Sequence, residues 1–166
     1  MPGLLHLVTC AATPLRRVGE LIGLLVADRW EVQVIATPAA ATWPFLTDIR
    51  VTTGRRLLHR MPLPDEPWPL TPPAAILVAP ATFNTINKVA GGVNDNLAVG
   101  GLNEHLGGPV PIVMAVHVKP ELRAHPAFAA NRRFLADAGV IFTDLGHPLD
   151  CEPTVSAVAA VRRQES

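Results

Sequence analysis

Five short apolar runs alternating with stretches of helical spacing constrain this chain more than any other feature. Residues 4–9 (Leu-Leu-His-Leu-Val-Thr) read as a buried strand. Leu15, Val18, Leu21, Ile22 and Leu25 then recur at helical intervals. They predict a helix over 14–28, with Thr13 as N-cap and Pro14 at the first helical position. A β-rich run over 31–37 follows. The same grammar returns as a strand at 75–79, helices at 82–91 and 95–106, and a strand at 111–118. A helix at 126–138 stopped by Gly139, a strand at 140–143 and a helix at 153–164 complete it. Strands separated by helices pair in parallel through right-handed crossovers. The expected fold is α/β, a Rossmann-like three-layer sandwich with a parallel sheet flanked by helices.

Length and charge narrow the function classes. A chain of 166 residues fits a single domain, taken here as 1–166, and buries about 70% of its extended surface. Fourteen basic residues balance fourteen acidic ones, so no basic face invites nucleic acid or an anionic membrane. No apolar run approaches the ~18 residues of a membrane span. Residues 1–6 carry no basic leader before their apolar run, so they do not read as a signal peptide. Cys10 and Cys151 stand alone without metal-type spacing, which points to a reducing, cytoplasmic setting and no metal. Six of the 17 prolines cluster at 62–73, within the one long irregular segment, 54–73.

In an open parallel sheet, ligands bind beyond the carboxyl ends of the strands. That rule selects residues 9–13, 37–43, 80–85 and 115–120. Several familiar motifs are missing. No G-x-G-x-x-G follows the first strand, and no Walker phosphate loop or H-E-x-x-H is present. The only serines are Ser156 and Ser166, which excludes a G-x-S-x-G hydrolase. The most specific stretch runs Ala79-Pro80-Ala81-Thr82-Phe83-Asn84-Thr85-Ile86-Asn87-Lys88-Val89-Ala90-Gly91-Gly92-Val93-Asn94-Asp95-Asn96-Leu97. Its small residues let backbone approach a ligand, and the helix start favours an anion such as phosphate. An ordinary capped helix would need Thr82 alone.

This stretch resembles the A-P-x-[ST]-A-N-T-x-x-K-x-A-x-G-x-x-D-x-L signature of the homo-oligomeric flavin-containing cysteine decarboxylases. That family includes phosphopantothenoylcysteine decarboxylase and the peptidyl-cysteine decarboxylases of lantibiotic processing. The opening strand, turn and helix, the pattern Thr37-x-x-Ala40-x-x-Trp43, and the segment from Pro111 to Gly139 resemble the same family in order and spacing. The resemblance implies an FMN site. The turn Thr9-Cys10-Ala11-Ala12-Thr13 and the loop Ala81, Thr82, Asn84 and Thr85 would hold the phosphate and ribityl chain. Thr37 and Trp43 would lie by the flavin, and Met114 and Ala115 would line its ring. It also implies a homo-oligomer, a trimer or a dodecamer of trimers, with the flavin between subunits and residues 94–106 partly in contacts.

The chain departs from that pattern in four places. The opening turn carries Thr9-Cys10-Ala11-Ala12 in place of glycine and serine, and Cys10 reads as a small buried hydrophobe. The family's histidine, about fourteen residues before the central A-P, falls on Glu66, and the nearest upstream histidine is His59. The family's P-x-M-N motif is replaced by Val116-His117-Val118-Lys119, with Lys119 where asparagine holds the substrate carboxylate. His117 and Lys119, two apart at a strand end, would share a face, with His117 as acid or base. A solvated strand end without a role fits these two residues equally well. The family's C-terminal flap meets only a short 144–153 connection, and Cys151 is read as unrelated to the flap's reducing cysteine. His6 reads as a satisfied core histidine, His125 as a helix starter, and Arg132, Arg133, Arg162 and Arg163 as solvated helix faces.

By resemblance, FMN would oxidise a cysteine thiol to a thioaldehyde, and the β-thioxo acid would lose carbon dioxide. The substrate would be a small molecule or peptide bearing a carboxylate, anchored by Lys119, with His117, His59 or Glu66 as base. Two alternatives stand beside this: an FMN-binding or regulatory protein without decarboxylase activity, and flavin prenyl transfer.

Overall fold

The computed structural model describes residues 3–146 and 150–164. Five strands form one parallel sheet: β1 (Leu4–Thr9), β2 (Glu31–Ala36), β3 (Ala75–Ala81), β4 (Ile112–Val116) and β5 (Ile141–Asp144), in the order β2-β1-β3-β4-β5. The long helices are α1 (Val18–Ala27), α4 (Phe83–Ala90), α5 (Leu97–His105), α7 (Pro126–Asp137) and α8 (Glu152–Gln164). The Rossmann-like α/β architecture is the one the alternating pattern predicts.

β1 to β4 are largely apolar on both faces because helices cover both. Leu5, Leu7, Val32, Val34, Leu77 and Val113 pack against Leu21, Ile22 and Leu25 of α1 and Val158 and Val161 of α8. On the opposite face Val8, Ile35, Ile76, Val78 and Met114 pack against Ile86 and Val89 of α4, Val99 and Leu102 of α5, and Leu135 of α7. Each fully buried large aliphatic contributes about 1.5–3 kcal/mol of burial free energy. This two-sided core carries the fold.

Several boundaries differ from the sequence reading. The chain enters α1 through a 3-10 turn, Thr13–Arg17, closed by the Leu15 N–H donating to the Ala12 carbonyl at 2.9 Å. Ala12 therefore occupies the cap position, and Thr13 is the turn's first residue. Four elements pass unread: α2 (Pro38–Ala41), a 3-10 turn at Pro44–Leu46, α3 (Ile49–Thr53) and α6 (Pro120–Arg123). None exceeds five residues, too short to display a 3.6-residue period. β4 stops at Val116 and releases residues 117–119 into a loop, because Lys119 precedes Pro120 and is held extended. β3 carries one extra residue between Val78 and Ala81, where the register against β4 shifts.

Two arginines expected on solvated faces stack on rings. Arg132 lies over Phe142 at 5.1 Å and Arg162 over Trp30 at 3.9 Å, their stems covering apolar surface. The Arg163 side chain and residues 147–149 of the 144–153 connection lie outside the described set. The proline-rich segment becomes a strap across α5. Leu70 crosses Gly101 so closely that a Cβ there would stand 2.9 Å from Leu70 Cδ1, and Trp68 lies over Gly100. At its start the strap lends Leu58 to the free edge of β2, in a parallel bridge with Ile35.

Candidate functional site

The four loops selected by the sheet rule converge on one cavity of about 600 Å3 at the carboxyl ends of β1 to β4. Residues 10–13 come from the first loop and 37–39 from the second. Residues 82–85 come from the third and 117–119 from the fourth. Lys88 of α4, Asp95 and Asn96 before α5, and Leu122 of α6 complete the lining. A cavity of this size lies within the ~300–1,000 Å3 of small-ligand sites.

Capping residues organise the walls. Thr37 caps α2, its Oγ1 accepting from the Ala40 N–H at 3.2 Å. Thr82 caps α4, its Oγ1 accepting from the Thr85 N–H at 3.4 Å. The buried Cys10 thiol donates to Thr85 Oγ1 at 3.3 Å, which ties the β1 turn to the β3 loop. Burial pushes the Cys10 thiol up from its ordinary value, keeping it neutral. Asn84 is exposed at the α4 start, so its amide faces open space beside the helix's free N–H groups. Lys88 Nζ donates to Asp95 Oδ2 at 2.6 Å, and that bond holds the Asp95 carboxyl below its usual range. The Asn96 side chain caps α5 by accepting from Val99 N–H at 3.1 Å.

The sequence of this chain matches the Flavoprotein family profile over residues 4–163. The chain belongs to the Flavoprotein family. Solved structures of related shape include the FMN-dependent cysteine decarboxylase SpaF, with a TM-score of 0.78 at 18% identity over 98% of this chain and 97% of that one. The peptidyl-cysteine decarboxylase EpiD gives 0.69 at 23% identity, over 86% of each chain. HAL3 from Cryptococcus neoformans gives 0.78 at 20% identity, over 99% of each. At these identities the likeness is one of fold. A curated relative, a cysteine/cysteine sulfinic acid decarboxylase from an unknown prokaryotic organism, is 38% identical over 63 residues. That stretch is 38% of this chain and 17% of the relative's length.

Within this Flavoprotein fold, the residues singled out from sequence separate into four groups. Cys10, Ala11, Ala12, Thr13, Thr37, Thr82, Asn84, Thr85, His117 and Lys119 line the cavity. Thr9, Ala81, Met114 and Ala115 do not; all four are fully buried strand residues under the covering helices. The Thr9 hydroxyl is buried without a partner. Trp43 stands aside from the cavity, packed edge-on against Phe45 at 6.1 Å. His59 and Glu66 line a separate groove on the outer side of β2. The bond from the Leu63 N–H, then the Arg60 guanidinium, holds the Glu66 carboxyl below its usual value, which makes it a weaker base.

His117 and Lys119 reach the cavity from a loop, not from a strand face. The His117 N–H donates to the Ala81 carbonyl at 3.0 Å, fixing this loop to the end of β3. Lys119 is exposed and has no ion-pair partner among the described residues. Sequence reading missed Lys88 and Leu122 as wall residues and placed Asp95 in subunit contacts. Their positions inside or between helices gave no loop-type signal, although the Lys-to-Asp spacing lay within the motif itself. No helix among the described residues is long and apolar enough to cross a membrane.

Proposed function

We propose that the cavity holds FMN and that the protein is an FMN-dependent decarboxylase of a carboxylate-bearing cysteine thiol. The observation that carries this reading is the meeting of four strand-end loops, those at 10–13 and 37–39 built of small residues, at one cavity beside the start of α4. The residues present fit a phosphorylated flavin. Ala11 and Ala12 let backbone approach, Thr82 and Asn84 offer hydroxyl and amide groups, and the helix dipole favours an anion there. The one carboxylate in the lining, Asp95, is neutralised by Lys88.

When bound, FMN supplies a two-electron acceptor for thiol oxidation. The protein's own residues do the rest. Lys119 holds the substrate carboxylate as a point charge until carbon dioxide leaves. His117, two residues away on the same loop, takes or returns the proton at the thiol end. His59 and Glu66, on the outer side of β2, are not assigned this step. We also read the protein as a cytoplasmic homo-oligomer, a trimer or dodecamer, as the family resemblance implies.

A second reading, an FMN-binding or regulatory protein without decarboxylation, is favoured by one observation. The position matching the family's histidine is Glu66, tied to Arg60 in the outer groove. One experiment separates the two. Purified protein is titrated with FMN by absorbance, then mixed anaerobically with cysteine-ended peptides or phosphopantothenoylcysteine. The enzyme reading expects stoichiometric FMN, bleaching of its absorbance and release of carbon dioxide. Bound FMN that never bleaches selects the second reading, and failure to take up FMN removes both. Lys119→Ala is expected to raise KM by about tenfold, the worth of one charge-assisted contact of ~1.5 kcal/mol, with FMN uptake unchanged.

A further inference from the structure

A second groove, of about 460 Å3, lies on the outer side of β2 and shares no lining residue with the cavity. One wall is the chain at residues 56–60, and the other is the strap at Pro62, Pro67 and Pro69. Leu58 commits both of its backbone groups to β2. Its N–H donates to the Val34 carbonyl at 3.1 Å, and its carbonyl accepts from the Ala36 N–H at 2.9 Å. The Arg56 carbonyl faces the same way and accepts from the Gln33 side-chain amide at 2.8 Å. Alternation along an extended chain turns the N–H and carbonyl groups of Leu57 and His59 outward, away from β2. Across the groove stand prolines, which have no N–H to donate, so the strap leaves that edge unpaired.

The charges of the groove are unequal. Arg60 is paired with Glu66, and Arg55, beside the groove, with Glu31. The Glu66 carboxylate also accepts from the Leu63 N–H at 2.8 Å, so it is fully engaged. Arg56 is exposed and has no ion-pair partner among the described residues. The groove therefore offers an open strand edge and one uncommitted cation.

We propose that this groove binds an extended, acidic stretch of a peptide substrate, laid as an added strand along residues 57–59 with a carboxylate against Arg56. This rests on the reading of the cavity at the strand ends as the site for the cysteine end of that peptide. The two sites are within reach of one chain. Leu58 lies one strand spacing, about 4.8 Å, from β2, and Thr37 just beyond β2 already lines the cavity. A few extended residues at roughly 3.3 Å each span the interval.

The test uses fluorescent cysteine-ended peptides carrying two glutamates four to six residues upstream, against glutamine counterparts, read by anisotropy on the FMN-loaded protein. Turnover is followed in parallel. The glutamate peptide is expected to bind about fivefold tighter, the upper end for an exposed ion pair, with the advantage fading in high salt. Arg56→Glu is expected to lose that preference and to favour a lysine counterpart, a gain that a misfolded variant could not show. N-methylation at alternate residues of the acidic stretch is expected to weaken binding in one register and spare it in the other. Equal affinity for glutamate and glutamine peptides overturns the proposal, as does a preference that survives Arg56→Glu. Turnover without any upstream preference rejects the groove and keeps the cavity reading. A preference without turnover keeps the groove and rejects the decarboxylase reading of the cavity.

Discussion

His6 shows how one residue can set the molecule's response to acid. It sits in β1 at 1% exposure and is bonded to the Thr71 backbone, while its Nε2 has no partner, so the sequence expectation of a satisfied core histidine holds for burial and is met at one ring nitrogen only. Burial, then the nearby His105, lowers its pKa to about 4 against the raising bond to the Thr71 backbone. An unfolded histidine titrates near 6.5. Above that pH both states are neutral and His6 contributes no pH dependence. Between about 6.5 and 4 the unfolded chain takes up a proton that the folded chain refuses, so stability falls with pH. Below about 4 the loss stops growing. At about 1.4 kcal/mol per pKa unit, the full loss is about 3 kcal/mol. Urea unfolding of the wild type and His6→Leu at pH 7.5 and pH 5 measures it: the wild type is expected to lose more stability than the variant over this interval. Equal losses would remove His6 as the cause.

At the scale of elements, α1 and α5 use glycine in opposite ways. Gly19 and Gly23 lie on the exposed side of α1 with nothing within 4 Å of a Cβ, so they carry only the entropic penalty of glycine in a helix. Gly23→Ala is expected to stabilise the protein by about 1 kcal/mol and raise Tm by about 2–4 °C in a thermal melt. The same exchange at Gly101 places the new methyl against Leu70, and the shift forced on the strap offsets the helical gain. A Gly101→Ala protein melting as high as Gly23→Ala would show that the strap does not press on α5. This contrast also explains what the sequence made legible. Long elements announced themselves because a period needs repeats, as in the run from Leu15 to Leu25. α2, α3 and α6 offered a single turn each, and α5, read as 95–106, starts at Leu97, where Asn96 caps it. For the site, the loops selected by the sheet rule meet at one cavity, with Thr82, Asn84 and Thr85 of the motif in its wall. Thr9, Ala81, Met114 and Ala115 lie inward of that wall, because the end of a strand decides whether a residue faces the cavity or the core. His117 and Lys119 were placed on a strand for the same reason: the chain leaves the sheet two residues early, ahead of Pro120.

For the whole molecule, the cavity joins four separate strand ends, so a ligand seated there stabilises the folded state as a unit. A ligand that binds only the folded chain adds about 2.7 kcal/mol at a hundred times its Kd. For a domain of this length that corresponds to a rise in Tm of roughly 5–10 °C. FMN is expected to give this shift, and riboflavin a smaller one, because only FMN brings an anion to the start of α4. Thr82→Ala supplies the control for that cause. Loss of the cap lowers the melting point of the free protein, by about 1 kcal/mol of stability, and narrows the gap between FMN and riboflavin. A gap that persists undiminished in Thr82→Ala would move the phosphate away from α4. Equal shifts for FMN and riboflavin in the wild type would mean that the α4 start meets no phosphate, and the orientation argued from the loops would have to be reversed. No shift with either ligand, at concentrations up to the millimolar range, would mean that these four loops meet around something other than a flavin.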